Sequence, residues 1–394
     1  MRPERVPPDW RAMSAALRLS LFYAAFFFAT GIQIPFWPVW LASRGLGPAE
    51  IGALLAISQW VKVAANPLVG AAADRTSDRR RVMLLLGAVA VAGYGLCLPG
   101  HSFVALLLPS ALVAATLAAL VPLADSLALA APEMRLGYGR VRLWGTIAFI
   151  AATLLGGRIL QGRGPDVILY LLLATGIGTA ASCAVLPHVA LRARTAGPPP
   201  WRLFLERRHI LFLGATLLIQ SSHAVYYGFG TLYWRDLGFA DITIAWLWAE
   251  GAIAEVVLFY FGANLVRRLH PHGLMMLGGV GALVRWGATA AATSLPALLA
   301  LQPLHALSFA AAHLGAMQYL ASNVPADRAN TAQSVYTAIV GGVGLGIAAI
   351  AAGALYAATG GGAYYAMAAM GGAGALLAAR LPRHERYLAS TISE

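Results

Sequence analysis

Apolar runs of about 18 to 28 residues follow one another along almost the entire chain, and each is long enough to cross ~30 Å of hydrocarbon as a helix. Their spacing predicts helices near 17–41, 49–73, 82–100, 102–128, 141–161, 166–187, 209–233, 242–265, 273–293, 296–321, 331–357 and 361–380. Inside a bilayer each backbone N–H and C=O must be satisfied within the protein, so such runs point to an all-α membrane protein of twelve transmembrane helices. Charged residues make up 11% of the 394, less than half the roughly 25% of a soluble domain. That is too little charge to cover a globular surface in water. The first run, Leu19 to Leu41, follows Arg2, Arg5, Arg11 and Arg18. It exceeds a signal-peptide core and reads as a permanent helix.

The longest polar interruption runs from Val189 to His209 and contains Arg192, Arg194, Gly197 with three prolines, Arg202, Arg207 and Arg208. It divides the chain into an expected six-helix bundle at 1–188, a cytoplasmic linker at 189–208 and a second six-helix bundle at 209–394 with a short tail. Charge placement orients them. With both termini cytoplasmic, only Arg44, Arg158, Arg163 and Arg235 fall in outer loops, while Lys62 and Arg285 lie within runs. The rest of the 28 basic residues fall in cytoplasmic segments, a strong positive-inside bias. The net charge of +12 therefore reads as a topology signal, not as a nucleic-acid surface. Cys97 and Cys183 each sit in an apolar run and read as buried small hydrophobes.

Between the second and third runs lies Gly70-Ala-Ala-Ala-Asp74-Arg75-Thr-Ser-Asp78-Arg79-Arg80. This resembles the loop signature of the major facilitator superfamily, G-x-x-x-D-R-x-G/S-x-R-R. The resemblance implies a two-bundle transporter fold in which Gly70 permits close helix approach and Asp74, Arg75, Asp78, Arg79 and Arg80 latch a gate. An ordinary positive-inside loop is the plainer reading. Tyr138-Gly-Arg140-Val-Arg142-Leu-Trp144-Gly145 is similar to a stretch of lactose permeases. Further fragments are similar to the bacterial 3-phenylpropionate permease group: Pro35-Phe36-Trp37, His223-Ala-Val-Tyr226-Tyr227, Ala254-Glu255-Val256, Arg285-Trp286, Gln302-Pro-Leu-His305 and His313-Leu.

An ionisable side chain within a spanning helix costs several kcal/mol unless paired or hydrated, so each is a functional candidate. Asp125, after Pro122-Leu-Ala, and Arg142, the second arginine of Arg140-Val-Arg142, match positions that bind sugar in lactose permeases. They read equally well as a structural ion pair. Lys62, the single lysine, lies between Gln59 and Asn66 and is a candidate to attract an anion or pair at a gate, or else to snorkel. Glu250 and Glu255 are five residues apart, so at ~100° per residue they point about 140° apart and cannot both face one narrow cavity. Glu255 shares a face with Trp248, Gly251 and Gly262 and matches the phenylpropionate pattern. Glu250 is the expected alternative.

The resemblance assigns proton coupling to Arg285 and His305, but Ser308 and Gln302 stand where lactose permeases carry an acid and a lysine. Coupling is therefore expected to rest on Glu255 with Arg285, a carboxylate that loads and releases a proton as its distance from a guanidinium changes. His223, His305 and His313 read either as helix–helix hydrogen bonds or as cavity-lining groups. Trp286 and His313 join Lys62, Asp125, Arg142, His223 and Glu250 as candidate substrate contacts. The aromatic residues dense in 22–37 and 226–234 read mainly as lipid-facing bulk and interfacial belt, with a few able to stack on a substrate. Gly341, Gly342, Gly344 and Gly346 allow close helix approach.

The sequence carries no Walker motif, no metal-ligand spacing and no nucleophile with its base, so it reads as neither an enzyme nor a cofactor carrier. The expected function is proton-coupled uptake of a small organic anion, such as an aromatic acid, by alternating access in a bacterial inner membrane. The expected partners are substrate, proton and lipid, with no obligate protein partner. A sugar or nucleoside symporter, favoured by Asp125 and Glu250, is the alternative, and efflux a third reading.

Overall fold

The computed structural model describes residues 14–76, 78–130, 138–187, 204–325 and 328–381. Arg2, Arg5, Arg11, Arg135, Arg192, Arg194, Arg202, Arg383 and Arg386 of the charge pattern lie outside these residues, as do Ser77 and most of the linker expected at 189–208. The described residues are helical and contain no strand. Ten stretches among them are long and apolar enough to cross a membrane. Large apolar side chains such as Leu68, Val104, Leu108, Leu129, Tyr260 and Phe261 are exposed, as side chains solvated by lipid would be. Cys97 and Cys183 are buried and free.

The chain divides into two compact units, Met1–Arg44 with Ala64–Ala193, and Gly45–Val63 with Arg194–Glu394. In the first unit, α1 (Ala15–Ser43) opens on Ser14, whose hydroxyl accepts from the Leu17 amide at 3.3 Å. Capping there satisfies one of the otherwise orphaned N–H groups of the first turn. α1 packs on α5 (Tyr138–Leu160) and α6 (Asp166–Ala184), and α3 (Arg79–Cys97) packs on α4 (Phe103–Ala130) and α6. The approach of α1 to α5 is close enough that a Cβ on Gly31 would stand 2.5 Å from the Phe149 carbonyl oxygen. Thr153 donates to the Gly31 carbonyl at 2.9 Å across the same seam.

α2 (Pro48–Asp74) divides between the units. Its first part belongs to the second unit, where Gly342 faces Val63 so closely that a Cβ would fall 2.1 Å from Cγ2. The second unit continues with α7 (Arg207–Ser221), α8 (Ala224–Asp236), α9 (Asp241–Phe261) and α10 (Ala263–Ala291). α7 and α8 form one membrane-length run broken at Ser222 and His223. α10 is kinked at His270, which takes φ 55° ahead of Pro271. A proline disfavours the α conformation in the residue before it, so the kink falls where the sequence requires.

Next come α11 (Leu295–Leu301), a 3₁₀ turn at Gln302–Leu304, a π-helical segment at Ala306–Ala311 and α12 (Ala312–Asn323). α13 (Ala329–Tyr336) leads through a second π segment, Thr337–Gly344, into α14 (Leu345–Thr359), and α15 (Ala363–Ala379) closes the described chain. π segments within α-helices often mark functional sites, because the extra residue re-aims neighbouring side chains. α10 packs on α12 and α15, and α15 also packs on α7.

Candidate functional site: buried charged clusters in each unit

The second unit gathers its charges on α9, α10 and the irregular segment between α11 and α12. Arg285 of α10 is 0% exposed. Its Nη1 donates to His305 Nδ1 at 2.6 Å and approaches Ser308 Oγ at 3.4 Å, while Nη2 donates to Gln302 Oε1 at 2.8 Å. The guanidinium also lies over the rings of Tyr226 and Trp286, with Cζ 4.7 and 4.2 Å from their centroids. Cation–π contact of this kind stabilises a desolvated guanidinium by about 2 kcal/mol or more. Hydrogen bonds at its edge and aromatic rings against its plane make the burial of this charge tolerable.

The proton positions follow from donor logic. A guanidinium has no acceptor, so His305 Nδ1 must accept and the imidazole proton sits on Nε2. That nitrogen lies 2.8 Å from Glu255 Oε1, to which it donates. Arg285, His305 and Glu255 thus form one directed chain of hydrogen bonds. His305 stands between the guanidinium and the carboxylate of Glu255, the two groups on which the sequence placed the expected coupling. Glu255 keeps 21% of its side chain exposed, whereas Arg285 is sealed.

A second branch runs from Ser308 to His223. His223 Nδ1 lies 3.2 Å from the Gln220 carbonyl, to which it can only donate, and Nε2 then accepts from Ser308 Oγ at 3.2 Å. The two substitutions that set this chain apart from lactose permeases, Gln302 and Ser308, therefore both bind Arg285. Neutral partners occupy the places of charged ones. Trp286 donates through Nε1 to Ser222 Oγ at 3.1 Å and, like His223, is fully buried. In this conformation both act as walls around Arg285.

His313 lies parallel to Phe309 with centroids 6.2 Å apart, and Phe309 is in turn parallel to His305 at 5.4 Å. Glu250 is outside the chain, and its Oε2 has no hydrogen-bond partner among the described residues. Lys62, on the part of α2 that belongs to this unit, donates to Gln59 Oε1 at 3.1 Å.

The first unit handles its charges differently. Asp125 Oδ1 accepts from the Tyr23 hydroxyl at 2.5 Å and the Tyr138 hydroxyl at 2.9 Å. Arg142 lies with Cζ 5.1 Å from the Tyr23 ring and 5.0 Å from the Phe27 ring. Its Nη1 is buried without a hydrogen-bond partner among the described residues. Asp125 and Arg142 are thus linked through Tyr23, not by a direct ion pair. Tyr23 and Phe22 belong to an aromatic stretch read mainly as lipid-facing, yet both are 0% exposed.

In the loop, Arg79 pairs with Asp74 and donates to Ser126 Oγ at 2.5 Å, tying the start of α3 to α4. Asp78 caps α3 through the Arg81 amide. Arg75 is exposed and Arg80 half-buried. A Cβ on Gly70 would meet no atom of its own unit within 4 Å, so the close approach expected there is not made inside the unit.

Gln302, Ser308, Tyr226, Ser222 and Tyr23 are the participants that charge alone did not reveal. Residues 302, 305 and 308 recur at a spacing of three, which places neighbouring side chains on one helix face. That spacing was the available signal.

Membrane-length helices built around buried charged clusters define a multi-pass membrane protein, and its relatives make it a transporter of small molecules. Comparison with known proteins agrees. Residues 16–367 match the family model described as the MFS_1 like family. The chain is 34% identical over 360 residues to the probable 3-phenylpropionic acid transporter of Escherichia coli (strain K12), covering 89% of this chain and 93% of that protein. It is 31% identical over 354 residues to the maltose permease of Geobacillus stearothermophilus, covering 85% and 86%. The solved nucleoside transporter NupG superposes with a TM-score of 0.82 at 18% identity, covering 95% of this chain and all of that one. The chain belongs to the MFS_1 like family of the major facilitator superfamily.

Proposed function

We propose that this transporter takes up a small organic anion, an aromatic acid resembling 3-phenylpropionate, together with protons, by alternating access in the inner membrane of a bacterium. The observation that carries this reading is the directed chain from Arg285 through His305 to Glu255. It ties a partly exposed carboxylate to a fixed cation through one imidazole, an arrangement suited to a group that takes and releases a proton once per cycle. The 34% identical relative bears a phenylpropionic acid transporter name, which supports the substrate class. Arg285 has both terminal nitrogens engaged, so the substrate carboxylate is better received elsewhere. Arg142 and Lys62 each retain unused donor capacity and are the candidates.

The topology in this reading has twelve spans, two bundles at 1–188 and 209–394, the linker 189–208 and cytoplasmic termini. Two features support the count beyond the ten stretches that satisfy length and hydropathy. α2 is 27 residues long. The 49-residue stretch Thr331–Ala379 is interrupted at Gly360, where φ is +54° and α14 gives way to a 3₁₀ turn before α15.

A sugar or nucleoside symporter is the second reading. The maltose permease relative favours it, as do Asp125 and the unpartnered Glu250 oxygen, since carboxylates hold hydroxyl-rich ligands. Uptake of labelled 3-phenylpropionate into proteoliposomes, with maltose and a nucleoside as competitors, separates the two. Accumulation that requires an inward proton gradient and resists both competitors supports the acid. Accumulation of maltose or nucleoside with indifference to the acid overturns it.

A further inference from the structure

Gly251 lies one turn before Glu255 on α9 and contributes no polar side-chain atom. A Cβ built there would stand 3.3 Å from His305 Cδ2, 3.4 Å from its Cβ and 3.5 Å from its Cγ. The first of these is tighter than an ordinary carbon contact, so the imidazole would have to give by a few tenths of an ångström there, while the other two are ordinary van der Waals contacts. His305 has little freedom to do so. Nδ1 is held by Arg285 at 2.6 Å and Nε2 lies 2.8 Å from Glu255. Its ring lies parallel to Phe309 at 16°, with His223 and Tyr226 at centroid distances of 5.4 and 5.7 Å.

We infer that Gly251 is a positioning residue of the coupling chain: the missing Cβ lets α9 carry Glu255 while His305 occupies the gap between that carboxylate and Arg285. The inference rests on the proposed role of Glu255 in carrying the coupled proton. Helix propensity pulls the other way. Glycine inside a helix is less favourable than alanine by about 0.5–1 kcal/mol, so Gly251→Ala strengthens α9 locally. A coupling defect in that variant is then a matter of geometry, not of a weakened helix.

The test is ring-¹⁵N NMR of histidine-labelled protein in lipid bilayers, with the His305 signals assigned by their loss in His305→Asn. Wild type is expected to show an unprotonated Nδ1 and a protonated Nε2, and Gly251→Ala to displace both resonances. In parallel, gradient-driven accumulation of 3-phenylpropionate falls about tenfold in Gly251→Ala, the effect of losing one hydrogen bond to a charged group. Exchange counterflow, which needs no net proton movement, stays within about twofold of wild type on the same argument. Unchanged His305 resonances, wild-type accumulation, or equal losses of accumulation and counterflow would each overturn the inference. Should wild type itself show no gradient-driven accumulation, the transport reading falls, while the NMR comparison still decides the role of Gly251.

Discussion

The two units solve the problem of buried charge in opposite ways. In the second, Arg285 is enclosed by His305, Gln302, Ser308, Tyr226 and Trp286, and it is linked to Glu255 through His305, whose Nδ1 accepts from the guanidinium and whose Nε2 donates to the carboxylate. In the first, Asp125 is satisfied by two phenols, and Arg142 rests on aromatic faces with one nitrogen unpartnered. One arrangement is closed and directed, the other open. Arg285 commits both terminal nitrogens to its own network and leaves only Nε without a partner among the described residues, whereas Arg142 has a terminal nitrogen without one. In the proposed reading the same residue type serves coupling in one unit and recognition in the other.

The largest expected effect breaks this comparison if it fails. Arg285→Ala removes the centre of a sealed network and leaves the buried His305, Gln302 and Ser308 groups without it, at about 1–3 kcal/mol for each group left unsatisfied. Thermal unfolding in detergent should show that loss, and Arg142→Ala should lose only about 1 kcal/mol, the worth of its contact with the Tyr23 and Phe27 rings. Similar losses in both variants would mean that the two sites are built alike.

Glu255→Gln comes next. It should abolish accumulation driven by a proton gradient while preserving counterflow, and Glu250→Gln, outside the chain, should leave coupling intact. The reverse pattern would move the coupling site to Glu250. Arg142→Gln should raise KM for the aromatic acid about tenfold, the expected worth of a hydrogen bond to a charged group. An unchanged KM would remove Arg142 from substrate recognition. Smallest is Tyr23→Phe, which deletes one of two donors to Asp125. It should cost about 1 kcal/mol, seen as a KM change of a few fold with coupling unaffected.

Much of this architecture is readable from the sequence. The membrane-length runs follow from apolar length alone, and the kink at His270 from Pro271. Arg285, His305, Glu255, Asp125 and Arg142 declare themselves because an ionisable group in an apolar run has few other reasons to exist. The links between them do not declare themselves. Gln302 and Ser308 are uncharged, and a comparison with lactose permeases presents them as losses when both in fact hold Arg285. Tyr23 looks like one more aromatic residue in a lipid-facing helix, because hydropathy cannot tell a buried phenol from an interfacial one. The π segments at Ala306–Ala311 and Thr337–Gly344 leave no compositional trace, since they differ from α-helix only in the partner of each backbone N–H. Gly251 was visible as part of a small-residue face, but its purpose depends on where His305 sits.

In the proposed mechanism Glu255, tied to Arg285 through His305, carries the coupled proton. That role is tested most directly by proton movement itself. Proteoliposomes loaded with a pH-sensitive dye and given 3-phenylpropionate without an imposed pH gradient should acidify inside as the acid enters through the wild-type protein. With Glu255→Gln the labelled acid should still equilibrate while the dye stays constant. Equal acidification by both proteins, or entry of the acid through wild type with no proton movement, would contradict the account.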